Sequence, residues 1–247
     1  MTKVADAPKA GSGAAPGPRR EPPFVVQFWR SAVAKKWLMA VTGILLMGFV
    51  LVHMIGNLKM YLGAEKLDHY AEWLRTIGEP ALPRTAVLWI LRVVLLGAVV
   101  IHIVAAAQLT AMNRRARPVK YQSPRDYAAA NFASRTMRMT GVIVLLFVIF
   151  HLLDLTWGVT DPHFVKGQVF DNVINSFQRV PVAIAYMVAM VALAVHLGHG
   201  AWSMFQSLGW NSPRYNKARR AFAIGFALVI AVGNISMPLL VVTKVVK

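Results

Sequence analysis

Five long apolar stretches dominate the pattern of hydrophobic and polar positions along the chain. A helix needs about 20 apolar residues to cross the hydrocarbon core of a bilayer. Because a backbone inside lipid must satisfy its own hydrogen bonds, each stretch is predicted to form a transmembrane α-helix. The predicted fold is an all-α integral membrane bundle whose five spans cover residues 37–58, 86–110, 139–158, 181–205 and 221–243.

The polar segments around these stretches have patterns of their own. Residues 1–23 are rich in Ala, Gly, Pro and charge and lack an apolar core, which predicts a disordered tail and no signal peptide. Residues 24–36 mix aromatic with basic side chains and predict an interfacial segment. Within 59–85, apolar residues recur at helical spacing over 67–74, which predicts an amphipathic helix on the membrane surface. Residues 37–247 then form the membrane domain.

The composition is typical of a membrane protein, and it excludes every kind of site that depends on cysteine. Hydrophobic residues make up 57% of the 247 positions and charged residues only 15%, against about 25% charged in soluble domains. The sequence contains no cysteine. Disulfides, thiolate metal sites, iron–sulfur clusters held by this chain and cysteine nucleophiles are therefore excluded.

The net charge is +17, and the distribution of the basic residues along the chain predicts how the protein is oriented in the membrane. The basic residues lie between apolar stretches, so they indicate membrane topology and no nucleic-acid partner. Eighteen of the 27 Lys and Arg lie before residue 37 or within 111–138 and 206–220, and eight lie on the other side. The positive-inside rule then places the N-terminus in the cytoplasm and predicts a multi-pass protein of the cell inner (cytoplasmic) membrane. The basic loops suit anionic lipid headgroups or an acidic partner face.

Histidines are the candidate functional residues of the spans. Four successive predicted helices carry His53, His102, His151 and His196, and His199 follows one turn after the last. Ionisable groups inside a membrane are costly and usually face a bundle interior in a functional role. With the predicted topology, His53 and His151 share a depth near the outer face. His102 and His196 lie nearer the cytoplasm, on the order of 10 Å away.

Two imidazoles at one depth on different helices suit a six-coordinate haem iron in a bundle core. The sequence thus predicts two b haems, one held by His53 and His151 and the other by His102 and His196. Zinc suits the pattern less, because only two histidines share each level and no carboxylate or thiolate joins them. His199 competes with His196 as a ligand or contacts a propionate.

Arg92 is the one basic residue, Lys or Arg, inside a predicted span. It lies outward of His102, near the level of His53 and His151. We expect it to pair with the propionates of the outer haem. The alternative is an arginine that snorkels to the outer interface.

With these residues placed, the chain resembles the five-helix, dihaem cytochrome b membrane anchor of succinate dehydrogenases and fumarate reductases. The resemblance covers about residues 30–243. It rests on the five spans, on one histidine in each of the first four at spacings of 49, 49 and 45 residues, and on the segment His53-Met-Ile-Gly-Asn-Leu58.

The resemblance implies a function, partners and cofactors. In the family, a flavoprotein subunit with FAD oxidises succinate in the cytoplasm, and an iron–sulfur subunit docks on the anchor. Electrons then reach the proximal haem, here on His102 and His196, the distal haem on His53 and His151, and a quinone, commonly menaquinone. The chain is thus expected to be a subunit of succinate dehydrogenase without succinate chemistry of its own.

A quinone site needs a proton donor near the quinone carbonyls and an apolar slot. Glu72 is the candidate for quinone proton transfer near the outer haem, with Glu65 and Glu79 as further carboxylates in the same loop. A site on the cytoplasmic side is the alternative, lined by Phe28, Trp29 and Trp202.

The chain departs from the family at one position. Some fumarate reductases of the family carry a glutamate two residues before the proximal-haem histidine of the fourth helix, where this chain has Ala194. A proton route through that carboxylate is then missing, which favours succinate oxidation.

Two other functions stay open. A dihaem cytochrome b of another dehydrogenase, such as a hydrogenase or formate dehydrogenase, would use the same histidines. A transporter with a histidine proton relay would need polar cavities and helix breaks near mid-membrane. The spans contain no acidic residue well inside them and almost no internal proline, with Pro238 near the end of the fifth.

Overall fold

A computed structural model describes residues 22–116, 132–210 and 212–246. The predicted tail up to residue 21 and residues 117–131 of the basic segment 111–138 lie outside these ranges. The described α-helices are, in chain order, α1 (Phe24–Arg30), α2 (Ala32–Asn57), α3 (Ala64–Thr76), α4 (Ala86–Arg115), α5 (Phe132–Leu155), α6 (Val169–Gln178), α7 (Val180–Ser207) and α8 (Asn216–Val242). A 3₁₀ segment, Leu58–Leu62, extends α2, and another, Pro213–Tyr215, precedes α8.

In the described ranges, five helices are long and apolar enough to cross a membrane: α2, α4, α5, α7 and α8. The prediction of five spans is confirmed. The helices do not stop where the hydropathy falls. Helix α4 continues from the predicted boundary at 110 to Arg115, and the basic residues of its last turn suit the negative end of the helix dipole. Helix α5 ends earlier than predicted, at Leu155, ahead of Gly158, whose φ of 67° favours glycine.

Helix α1 precedes the bundle as a separate short helix. Every residue from Phe24 to Arg30 is exposed, including Trp29. Ser31 breaks the chain with an extended backbone, and its side chain caps α2 by accepting a hydrogen bond from the Ala34 amide at 3.1 Å. An exposed aromatic and basic helix beside the first span suits a membrane interface; the interfacial assignment stays a prediction.

The bundle is organised around α2 and α7. Helix α2 packs against α4 and α7, α5 packs against α7, and α8 packs against α7 and α2. Four helices therefore follow one another in the order α4, α2, α7, α5. The two diagonals of this group, α2 with α5 and α4 with α7, are not among the closely packed helix pairs of the described chain.

The two ends of the bundle are distinguished by chain direction. The N-terminal end is the one at which α2, α5 and α8 begin and α4 and α7 end. At the opposite end lie α3 and α6, which pack against each other. The Asp68 carboxylate on α3 accepts a hydrogen bond at 3.0 Å from the Phe170 amide in the first turn of α6. The helix predicted around 67–74 is confirmed as α3, whereas α6 was not predicted.

Candidate functional site

The histidines of the four spans form two pairs across the diagonals of the bundle. The ring centres of His53 on α2 and His151 on α5 are 5.9 Å apart, and those of His102 on α4 and His196 on α7 are 6.5 Å apart. His53 is exposed and the other three residues are half-buried. The structure thus brings together the two pairs that the sequence pattern predicts.

Threonine contacts fix the levels of the two pairs. Thr42 on α2 lies 3.1 Å from His102 Nδ1, so the level of the second pair on α2 is that of Thr42. His53 follows Thr42 by eleven residues, which is about 16 Å along a helix. Thr140 on α5 lies 3.4 Å from His196 Nδ1, and His151 again follows it by eleven residues. The distance between the two histidine levels is therefore larger than the roughly 10 Å predicted from the sequence. The prediction counted residues from the hydropathy boundaries, and these differ from the helix ends.

The same threonines orient the histidine rings at the N-terminal end. The Thr42 hydroxyl donates its one proton to the Leu38 carbonyl at 2.6 Å, so its oxygen accepts from His102 Nδ1–H. Thr140 likewise donates to the Met137 carbonyl at 3.0 Å and accepts from His196. A proton on Nδ1 leaves the lone pair on Nε2, and this is the arrangement in which a metal-binding imidazole is usually held.

At the opposite end, aromatic residues support the histidines. Tyr186 on α7 has its hydroxyl 3.4 Å from His151 Nδ1, and it donates to the Asp154 carboxylate at 3.0 Å. Phe49 stacks on His53 with ring centres 5.2 Å apart, and Phe147 lies 5.8 Å from His151. Each of the two rings therefore packs against a phenylalanine one turn earlier on its own helix.

These supports belong to an internal repeat. Residues 42–53 read TGILLMGFVLVH and residues 140–151 read TGVIVLLFVIFH, with the Thr-Gly, Phe-Val and His positions identical. A Cβ atom on Gly43 would lie 3.5 Å from His102 Cε1, and one on Gly141 would lie 3.4 Å from His196 Cε1. A side chain at either position would therefore touch the ring of a neighbouring helix at ordinary van der Waals distance. This repeat is the signal in the sequence that identifies the supporting threonines, and the pattern of spans and histidines alone missed it.

The paired histidines fit an iron held between two imidazoles. Metal–imidazole bonds are about 2 Å long and each ring centre lies about 1.2 Å from its nitrogen, which puts the two centres roughly 6.4 Å apart. The observed 5.9 and 6.5 Å lie on either side of that value. The described residues contain no group of three or more His, Cys, Asp or Glu that could hold a metal ion. Two imidazoles per level are the donor set that bis-histidine haem proteins use.

Two other predicted residues lie on the same helices. His199 is half-buried on α7 one turn after His196 and does not belong to the ring pair with His102. Arg92 is exposed on α4, with its guanidinium 5.0 Å from the ring centre of Trp89. It precedes His102 by ten residues, which places it near the level of the other pair.

The residues predicted to form a quinone site differ in their exposure and in their contacts. Both carboxylate oxygens of Glu72 on α3 are in ion pairs, one with Arg75 at 3.2 Å and one with Arg84. Glu65 and Glu79 are exposed. At the N-terminal end, Phe28 and Trp29 help to line a cavity of about 180 Å³, whereas Trp202 instead lies 5.1 Å from the Arg219 guanidinium.

A buried polar cluster around Asp154 was missed by the sequence analysis. Asp154 lies in the last turn of α5 with no exposed surface, and its carboxylate accepts from Thr160 at 2.7 Å, from Arg179 at 2.5 Å, from Ser176 and from Tyr186. Ser176 and Arg179 lie in a segment that hydropathy treats as a loop. An aspartate inside the third apolar stretch, with an arginine just before the fourth, was the available signal.

Comparison with known proteins gives one match. The family model of the succinate dehydrogenase/fumarate reductase transmembrane subunit matches residues 113–233. The matched range includes α5, α7 and most of α8, and therefore His151 and His196, while α2 and α4 lie outside it or at its edge. No curated protein and no solved structure matches the chain. The match confirms, at the level of the family, the resemblance inferred from the spans and histidines.

Proposed function

We propose that this chain, whose residues 113–233 match the family model of succinate dehydrogenase/fumarate reductase transmembrane subunits, is the dihaem cytochrome b anchor of a succinate:quinone oxidoreductase. With its five apolar helices it is a multi-pass membrane protein. The observation that supports the dihaem assignment best is the presence of two histidine pairs at two levels, each with ring centres about 6 Å apart.

In this proposal each imidazole pair holds one haem. His102 and His196 hold the proximal haem at the N-terminal end, and His53 and His151 hold the distal haem at the opposite end. Haem iron at these sites supplies one-electron redox chemistry. Thr42 and Thr140 keep the proximal ligands in the Nδ1–H tautomer, since their hydroxyl oxygens accept from that nitrogen.

Orientation follows from charge. Most of the Lys and Arg in the described ranges lie at the N-terminal end, so this end faces the cytoplasm in the proposal. There the iron–sulfur subunit docks, with the FAD-bearing flavoprotein subunit beyond it, and the basic surface suits an acidic partner face or anionic lipid. Electrons enter near His102 and His196 and leave at the opposite end to a quinone, with menaquinone as the proposed species.

The remaining site residues take supporting roles in the proposal. Arg92, near the level of His53, would pair with the propionates of a haem held by His53 and His151, and His199 would contact a propionate of a haem held by His102 and His196. Glu72 handles the quinone proton from α3, where it is half exposed between Arg75 and Arg84. Ala194, in place of a family carboxylate, favours succinate oxidation over fumarate reduction.

Succinate-driven reduction tests the proposal. The tagged chain is purified in mild detergent with its bound subunits, succinate is added, and the visible haem b bands are recorded. We expect an iron–sulfur and a flavoprotein subunit in the preparation and reduction of haem by succinate. A haem protein reduced by hydrogen or formate and inert to succinate would instead be the cytochrome of another dehydrogenase.

A further inference from the structure

The buried cluster at the end of α5 contacts one of the four paired histidines. Asp154 and Ser176 have no exposed surface and Tyr186 is 5% exposed. Arg179, at the N-terminus of α7, donates to Asp154 at 2.5 Å, so the buried carboxylate has a cationic partner. Such a group is costly to bury unless it is paired and hydrogen-bonded, and here four side chains satisfy that need.

Tyr186 connects this cluster to His151. Its hydroxyl has one proton, and the Asp154 carboxylate 3.0 Å away can only accept it. The phenolic oxygen is then the acceptor for the His151 Nδ1–H at 3.4 Å. Three rings fix Tyr186 in place, since Phe147, Phe150 and Phe177 pack edge-on against it with ring centres 4.9–5.9 Å away.

The support of His151 differs in kind from that of the pair at the N-terminal end. The hydroxyls of Thr42 and Thr140 donate to backbone carbonyls, which are neutral acceptors. The hydroxyl of Tyr186 donates to a carboxylate, and hydrogen bonds to ionised acceptors are about twice as strong as neutral ones. Chains of hydrogen bonds polarise one another, so a charged end makes the first acceptor in the chain a better one.

We propose that Tyr186 and Asp154 are positioning residues for the His151 ligand, and that their hydrogen-bond chain draws the Nδ1 proton of His151 and makes its Nε2 the more basic donor. The inference rests on the proposed haem function. A more basic imidazole stabilises the oxidised iron that it binds, because a stronger electron donor favours the higher charge. Ser176, Thr160 and Arg179 hold the Asp154 carboxylate in line for this role.

The test is a Tyr186→Phe variant of the full complex, studied by redox titration and by electron paramagnetic resonance of the oxidised haems. Phenylalanine keeps the ring packing and removes only the hydroxyl. We expect the midpoint potential of the His53/His151 haem to rise and its low-spin signal to shift, with the His102/His196 haem unchanged. Tyr61→Phe is the matched control, because Tyr61 also lies at the opposite end and hydrogen-bonds Ser236 at 2.7 Å.

A second variant covers the risk that Tyr186→Phe weakens haem binding. Asp154→Asn keeps an acceptor for Tyr186 but removes its charge, so we expect a smaller shift in the same direction. Loss of the His53/His151 haem alone in either variant also supports a positioning role. Equal shifts of both haems, loss of both, or potentials and signals like those of Tyr61→Phe would overturn it. A wild-type complex without haem would instead refute the proposed function itself.

Discussion

At the scale of single residues, a neighbouring threonine hydroxyl contacts the Nδ1 atom of each histidine of the N-terminal pair. His102 and His196 each face a threonine whose own proton is committed to a backbone carbonyl. The histidines themselves could be predicted from the sequence, because an ionisable residue stands out in an apolar span. The threonines could not be predicted from hydropathy, because a Thr in a membrane helix usually only bonds its own backbone, as Thr110 does to Ala106.

The first prediction concerns these threonines. Thr42→Val or Thr140→Val, which keeps the shape and removes the acceptor, is expected to weaken haem binding at the N-terminal pair by about 10- to 100-fold. The measurement is haem retained per chain on dilution in detergent. Thr110→Val is the control, and retention equal to that control would refute the tautomer argument.

The second prediction concerns Glu72. Glu72→Gln keeps the size of the side chain but cannot carry a proton, so quinone turnover is expected to fall by about 100-fold or more, in the range of general acid–base effects. Both haem spectra should stay unchanged. Asp171→Asn, an exposed carboxylate at the same end, serves as the control. Wild-type turnover in Glu72→Gln would remove Glu72 from proton transfer.

At the scale of elements, hydropathy predicted which segments cross the membrane but not which helices pack against each other. The five spans followed from the length of their apolar stretches, and α3 followed from its periodicity. Helix α6 did not, because it is only ten residues long and its first turn is satisfied by Asp68 from a distant helix. The packing of α7 on α8 includes contacts of small residues such as Gly198 with Ala227, at 3.5 Å from an added Cβ, and such a contact cannot be read from either segment alone.

The third prediction tests the packing of α8 on α2. A Cβ on Gly233 would overlap Met54 Sδ, and Met54 is 4% exposed and adjacent to His53. Gly233→Ala is therefore expected to lower the free energy of unfolding by about 1–3 kcal/mol through overpacking. Thermal unfolding in detergent measures the change.

Gly225 on the same helix provides the matched control for that variant. An added Cβ there meets no atom within 4 Å. Gly225→Ala should be neutral or slightly stabilising, because alanine is the better helix former. If the two variants unfold at the same temperature, the close contact between α8 and α2 is wrong.

At the scale of the whole molecule, two similar halves make up the four-helix part. Helices α2 and α4 form one half and α5 and α7 the other, each with a Thr-Gly, a Phe-Val and a His at the same spacing on its first helix. The family match reaches only the second half and α8. The repeat and the crossed histidine pairs are the observations that extend the dihaem proposal to α2 and α4.

The fourth prediction follows from the pairing across both halves, and haem counting on the purified chain tests it most directly. The wild-type protein is expected to contain two b haems per chain, and His151→Ala is expected to retain one, held by His102 and His196. A colourless wild-type protein would contradict the proposed cytochrome. Loss of both haems from a folded His151→Ala variant would contradict the independent pairs at two levels.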